Sequence, residues 1–219
     1  SGFISLALLF LLASAFSTFG APKGKQQYFE IKVYRVKQSS QAEQVDNYLR
    51  NAYMPALHSA GISKIGVFKP IESDTTYGKL IYVFIPYKSM DQYLKLPGVL
   101  QKDKDYQSQA KGFVEAPYND PPFVRYESIL LKAFTGMPLF NAPVYDTPSG
   151  DRIYELRSYE SATELKAALK IKMFNEGEID LFVKLNFNPV FFAKVLAGSQ
   201  QPNLMYMTSF RDIATHDDR

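Results

Sequence analysis

The chain has 219 residues, 46% hydrophobic and 21% charged, enough for one large domain or two small ones with a sizeable core. Its 25 Lys and Arg against 22 Asp and Glu leave a formal charge of +3, too small and too mixed for a nucleic-acid footprint. With no Cys it excludes a disulfide framework, a zinc finger, an iron–sulfur cluster and a thiol nucleophile, and with only His58 and His216 no metal site is expected.

Phe3 to Phe19 is apolar and uncharged. A bilayer span needs at least about 17 such residues, whereas a secretory h-region needs only about 7–15. Small-residue cleavage patterns follow at Ala13-Ser14-Ala15 and Thr18-Phe19-Gly20, and Lys23-Gly24-Lys25 closes the run. Residues 1–25 are therefore read as a signal peptide, in preference to an uncleaved anchor or a core helix, with no stable membrane span after its removal. The basic n-region is missing, so the sequence is expected to begin a few residues late.

From Tyr28 the residues alternate through Tyr34 as in a half-buried strand. Ser40 and Glu43 form a capping box for a helix whose face carries Val45, Tyr48, Leu49, Ala52 and Ala56, with a kink at Pro55 and an end at Gly61. Strands are predicted over 65–71 and 80–85 around a turn at 74–78, then a helix over 90–116 broken at Pro97-Gly98, then a strand over 123–131. Within that helix Lys102-Asp103-Lys104-Asp105 reads as a solvated face. The order βαββαβ is the ferredoxin-like split unit, here residues 26–135. A Pro- and Gly-rich linker follows at 136–152.

The pattern then restarts over 153–219. Ile153 to Tyr159 repeats the first strand, Ser161 and Glu164 offer a second capping box, and Leu165, Ala168, Leu169, Lys172 and Met173 repeat the helical spacing. Glu176 and Glu178 flank Gly177 and point apart on a helix, marking a kink or a surface contact and not a metal pair. Pro189 to Leu196 matches the second strand, and Leu204-Met205-Tyr206-Met207 matches Leu80-Ile81-Tyr82-Val83. An internal duplication explains these correspondences together. The second copy is C-terminally truncated, with a last helix expected near Arg211, so the chain reads as a fragment.

These residues resemble a known family. Tyr154 to Ser161, YELRSYES, resembles the YELR-x-YES signature of the NIPSNAP family, and Met173 to Ile179, MFNEGEI, its MFN-x-GEI segment. Asn188 to Phe192, Gly198, Pro202-Asn203-Leu204 and Tyr206-Met207 match the stretch that follows, and Gly66-Val67-Phe68 echoes it in the first copy. The resemblance implies a dimeric α+β-barrel architecture of ferredoxin-like units, here in tandem, and a homodimer. It implies no defined activity and no cofactor.

Period-2 geometry divides each first strand into two faces. Phe29, Ile31 and Val33 share one, expected to pack on the helices; Tyr28, Glu30, Lys32 and Tyr34 share the other, expected to line the barrel interior. The repeat sorts Tyr154, Leu156 and Ser158 from Ile153, Glu155, Arg157 and Tyr159, with Arg125 and Glu127 adding to the polar face. As a ligand pocket, this face offers Glu30 and Glu155 as general bases and Arg157 or Lys32 as an anion anchor, with Tyr34 and Tyr159 as further catalytic candidates on it. As structure, the same charges pair and the tyrosines cap an interface, and this account takes precedence because perturbed ionisable groups are not functional by default. His58, at a helix C-terminus, is a weak haem-ligand candidate and more simply caps carbonyls. The leading expectation is a secreted or periplasmic barrel protein that binds a small molecule or a partner. The alternative is a cofactor-independent monooxygenase or isomerase type of enzyme, or a haem-binding variant of it.

Overall fold

Alternation does produce β1 (Tyr28–Arg35) in the computed structural model, which describes residues 25–198 and 200–218. The expected signal segment lies outside the described residues. After β1 come α1 (Ser39–Tyr48), a π-helical turn (Leu49–Tyr53) and α2 (Met54–Ser59) as one bent rod, then β2 (Gly66–Phe68) and β3 (Leu80–Tyr87). Next are α3 (Met90–Lys102), α4 (Lys104–Val114) and β4 (Arg125–Ala133). The second half runs β5 (Ile153–Glu160), α5 (Glu164–Met173), a second π-helical turn (Phe174–Glu178), α6 (Ile179–Lys184), β6 (Pro189–Ala197), β7 (Asn203–Phe210) and α7 (Ile213–Asp217). Among the described residues no helix is long and apolar enough to cross a membrane.

Neither capping box forms. Helix α1 starts at Ser39, and the side chain of its Gln38 N-cap accepts from the Ser40 hydroxyl and not from a helix amide; instead Gln41 accepts from the Lys37 amide. Thr163, two residues past Ser161, caps α5 by accepting from the Lys166 amide. The break expected at Pro97-Gly98 also moves: α3 runs through Pro97, and the chain turns at Asp103, whose carboxylate accepts from the Tyr106 amide. Asp103 is thus a cap between two helices and not one charge on a solvated face. A π-helical turn stands just before Pro55, where a kink was expected, and Pro55 itself lies in the first turn of α2, where its missing N–H is tolerated.

All seven strands form one antiparallel sheet in the order β2-β3-β1-β4-β6-β7-β5. Its first four strands have the ferredoxin-like order, and β6-β7-β5 repeats the order of β2-β3-β1. The halves join where β4 pairs with β6, Leu131 opposite Val195 and Ala133 opposite Ala193. The sheet then curls until its two ends meet: the rings of Phe68 on β2 and Tyr154 on β5 lie 4.7 Å apart between centroids.

The curl decides which face is inside. Phe29, Ile31, Val33, Phe84, Leu131, Phe191, Val195 and Met207 form one core enclosed by the strands, with Tyr154 and Leu156 packed against it. Phe84 and Phe191, from different halves, stack at 5.2 Å, and Phe29 lies 5.3 Å from each. The expected assignment of faces is therefore reversed. The apolar face lines the barrel interior, and the face bearing Glu30, Lys32, Tyr34, Glu155, Arg157 and Tyr159 lies under the helices. A curled sheet has an apolar interior available on one side only, and the larger, drier side chains take it.

Register corrects a second expectation. Glu30 stands opposite Ile85 and Lys32 opposite Val83, while Glu155 stands opposite Thr208 and Arg157 opposite Tyr206. Tyr206 therefore corresponds to Val83 and not to Tyr82. The one-residue difference exchanges faces: Tyr82 packs on the barrel core, Tyr206 beneath the helices. Phe29→Ala is expected to cost about 3–5 kcal/mol in urea unfolding, because that ring touches both halves of the core. Tyr118→Ala, at an exposed loop position, leaves the midpoint unchanged.

Candidate functional site

Beneath the helices of the first half, the polar face of the sheet opens into a cavity of about 700 Å³ lined largely by tyrosine. Its floor is Glu30 and Lys32 on β1. Glu30 is only 4% exposed, yet both carboxylate oxygens are engaged. Tyr87 donates to one at 2.8 Å, Ser128 to the other at 2.6 Å, and the Lys32 ammonium sits 3.4 Å from the latter. A buried carboxylate persists only with such compensation. The Lys32 ammonium also lies over two rings, 5.1 Å from the centre of Tyr126 and 5.6 Å from that of Tyr53. One cation thus joins the carboxylate to the aromatic wall.

The wall itself depends on the first π-helical turn. Tyr48 and Tyr53 are five residues apart and would diverge on an α-helix. The i→i+5 turn between them brings their rings parallel at 5.6 Å. Tyr48 also stacks on Phe113 of α4 at 4.0 Å and shares a 2.9 Å hydroxyl–hydroxyl bond with Tyr106. Leu94, Leu96, Pro97 and Leu100 of α3 add an apolar side. The arrangement can hold a planar, mostly apolar molecule between rings and offer one ammonium and several phenol donors at its polar end.

Burial keeps those phenols neutral. It pushes the Tyr34, Tyr48, Tyr53 and Tyr87 hydroxyls well above the ordinary tyrosine value. The bond to Tyr106 adds to this for Tyr48, the charge of Glu30 for Tyr53 and Tyr87, and Tyr126 for Tyr34.

The corresponding place in the second half is arranged differently. Glu155 pairs with Arg157, whose Nη2 and Nε lie 2.6 and 2.8 Å from one carboxylate oxygen; this bond raises the guanidinium pKa further. Tyr159 faces Tyr206 with hydroxyls 3.4 Å apart. That bond, aided by Arg157, lowers the Tyr159 pKa, while burial raises that of Tyr206. The structure brings Glu30, Lys32 and Tyr34 together in one cavity and Glu155 and Arg157 in another. It places His58 in neither: that side chain is exposed in a shallow groove with Asp46 and Arg50. Arg125 is exposed and donates to the Val124 carbonyl, outside the cavity. Among the described residues no group of three or more His, Asp or Glu could hold a metal ion.

Sequence reasoning missed Tyr48, Tyr53, Tyr87, Tyr106, Tyr126 and Ser128 as parts of the site. Tyr126 and Ser128 alternate on β4 in step with Glu30, a signal within reach. Tyr48 and Tyr53 were beyond it, since a 3.6-residue period sets them on different faces.

No protein-family model and no curated protein matches the chain. Among solved structures, it is similar to a candidate monooxygenase from Lactobacillus acidophilus NCFM at 8% identity, over 89% of this chain and 81% of that one, with a TM-score of 0.54. At that identity the likeness is one of fold: an α+β structure with a curled antiparallel sheet. The chain is also similar to a NIPSNAP family protein from Agrobacterium tumefaciens str. C58, at 16% identity over 49% of this chain and 86% of that one, TM-score 0.39. A NIPSNAP-like domain protein from Burkholderia xenovorans gives 12% identity over 57% and 91%, TM-score 0.39.

Two outcomes follow from the cavity. Tyr87→Phe removes a donor from a buried carboxylate and is expected to cost about 1–3 kcal/mol of unfolding free energy at neutral pH. Folded tyrosine pKa values raised above the unfolded value give stability that is complete below about pH 10 and lost as pH rises further. The unfolding midpoint should therefore fall steeply above about pH 10, and Tyr48→Phe should flatten the fall, as followed by absorbance of ionised tyrosine.

Proposed function

We propose that this chain is a NIPSNAP-like binding protein built from two ferredoxin-like units, and that the cavity of its first unit takes a planar, mostly apolar small molecule with one anionic group. The observation that carries this reading is the Lys32 ammonium, held between Glu30 and the faces of Tyr53 and Tyr126 at the polar end of a 700 Å³ tyrosine-lined space. Cavities of roughly 300–1,000 Å³ with apolar walls and few polar groups are the usual dimensions of small-molecule sites. Lys32 has donors left after meeting Glu30, and neutral phenols can donate to an anion without repelling it.

The sequence supports two further parts of the proposal. The apolar run from Phe3 to Phe19 supports export to a secreted or periplasmic location. The family resemblance supports a homodimer.

The enzyme reading, a cofactor-independent monooxygenase or isomerase type, needs a base to take a proton from the substrate. Glu30 is the carboxylate in the cavity, and its two oxygens already accept from Tyr87 and Ser128. Binding is therefore the reading preferred over proton abstraction.

Native mass spectrometry of the purified full chain, followed by titration with 2-naphthoate as a planar anionic probe, tests the proposal. Saturable binding is expected, weakened at least about ten-fold by Lys32→Met, the loss of one charge-assisted contact. Binding unchanged in Lys32→Met, or no saturable binding with no retained small-molecule mass, would overturn it.

A further inference from the structure

The donors of the tyrosine cavity are not all spent on the protein. Tyr87 and Ser128 give their hydroxyl protons to Glu30, and Tyr48 and Tyr106 share one bond between them. Tyr34 and Tyr53 also line the cavity, and each is only 4% exposed. Among the described residues neither of their hydroxyls has a hydrogen-bond partner. Both rings stand close to the Lys32 ammonium. Tyr53 lies under it, and Tyr34 follows Lys32 on the same face of β1, with its ring 5.6 Å from that of Tyr126, which the ammonium also covers.

The unmet hydroxyl of Tyr34 is particular to this half of the sheet. Tyr159 follows Arg157 by two residues, as Tyr34 follows Lys32, and its hydroxyl lies 3.4 Å from that of Tyr206. In the first half the place of Tyr206 is taken by Val83, opposite Lys32, which has no polar group to offer. Tyr53 is held in place by its stack on Tyr48, through the π-helical turn, and not by its hydroxyl. Two buried phenols are thus fixed by their rings and left with their protons unused.

We infer that the cavity takes an aryl 2-oxo acid, with its carboxylate on Lys32 and its adjacent carbonyl oxygen accepting from Tyr34 or Tyr53. This rests on the reading of the cavity as a site for a planar anion and names the class of that anion. The donors present are the N–H groups that Lys32 has left after Glu30, the two unmet phenols, and the proton left over in the Tyr48–Tyr106 pair. Together they outnumber the lone pairs of one carboxylate, so a simple aryl carboxylate would leave a buried donor unmet. A hydroxyl or amine beside the carboxylate would bring another donor to an end already rich in them. A carbonyl brings an acceptor alone, and its conjugation with the ring keeps the ligand flat between the tyrosine walls.

Phenylglyoxylate and phenylacetate differ only in a carbonyl oxygen that replaces two hydrogens. Calorimetric titration of the full chain with each tests the assignment. Phenylglyoxylate is expected to bind at least about ten-fold more tightly, because a site built to hydrogen-bond a ligand oxygen rejects the analogue that lacks it. Mandelate, with a hydroxyl at the same carbon, should bind more weakly than phenylglyoxylate. In the double variant Tyr34→Phe/Tyr53→Phe the preference over phenylacetate should shrink to within about two-fold, since both unmet donors are gone. Failure of phenylglyoxylate to bind, equal affinity for phenylacetate, mandelate binding as tightly, or a preference that survives in the double variant would each overturn the assignment. Binding of 2-naphthoate that depends on Lys32, with equal affinities for the two phenyl acids, removes the 2-oxo acid and leaves the anion site standing; loss of 2-naphthoate binding as well removes both. The comparison of ligands uses the unaltered chain, so a folding defect in the double variant leaves the test in place.

Discussion

The ladder between β4 and β6 is the constraint on which the rest of this molecule depends. It turns two short antiparallel sheets into one seven-stranded sheet and gives the curl its direction. Without it neither half encloses anything, since each would have a single sheet with one apolar face open to water. With it, Phe29 and Phe84 of the first half meet Phe191 of the second, and burial of large rings supplies much of the stabilisation. The joint is not uniform. A register shift falls between Leu130 and Leu131, and Gly198, at φ 136°, lies against Ile129, where a Cβ would come within 3.3 Å of the isoleucine side chain. The positive φ at Gly198, just past the end of β6, is one that glycine adopts without strain.

Once the apolar face is committed to the interior, the outer face must be made compatible with helices. In the first half this is done by ring stacking and by one satisfied carboxylate. In the first half α4 also covers α1. In the second half Leu165, Leu169 and Met173 lie exposed along α5 among the described residues. The cavities thus sit between layers and not in the barrel lumen, which is filled by the Phe29–Phe84–Phe191 cluster.

Much of this was legible in the sequence. Alternation located β1 and β5 to within a residue, and the grouping of Glu30 with Lys32 and Tyr34, or Glu155 with Arg157 and Tyr159, is correct. What alternation does not encode is the layer that covers each face. When both faces of a strand are covered, period 2 says which residues are together but not what lies above them. The helix starts failed for another reason: Ser and Glu three residues apart are compatible with a capping box, but Gln38 and Thr163 occupy the cap positions once the strands fix where the chain leaves the sheet. The Tyr48–Tyr53 stack was illegible in principle, because a π-helical turn changes the period that the reading assumes.

The tyrosine cavity has an optical consequence. The chain has 15 Tyr and no Trp, so its intrinsic emission comes from phenols alone. No indole is present to drain that excitation by energy transfer. Tyr48, stacked on Phe113 and bonded to Tyr106, belongs to a connected group of rings that includes Tyr53 and Tyr34. Excitation absorbed by one of them can migrate through the others before it is emitted. An aromatic guest among those rings would act as the acceptor at the end of that migration, and the protein's own glow would dim in proportion to occupancy.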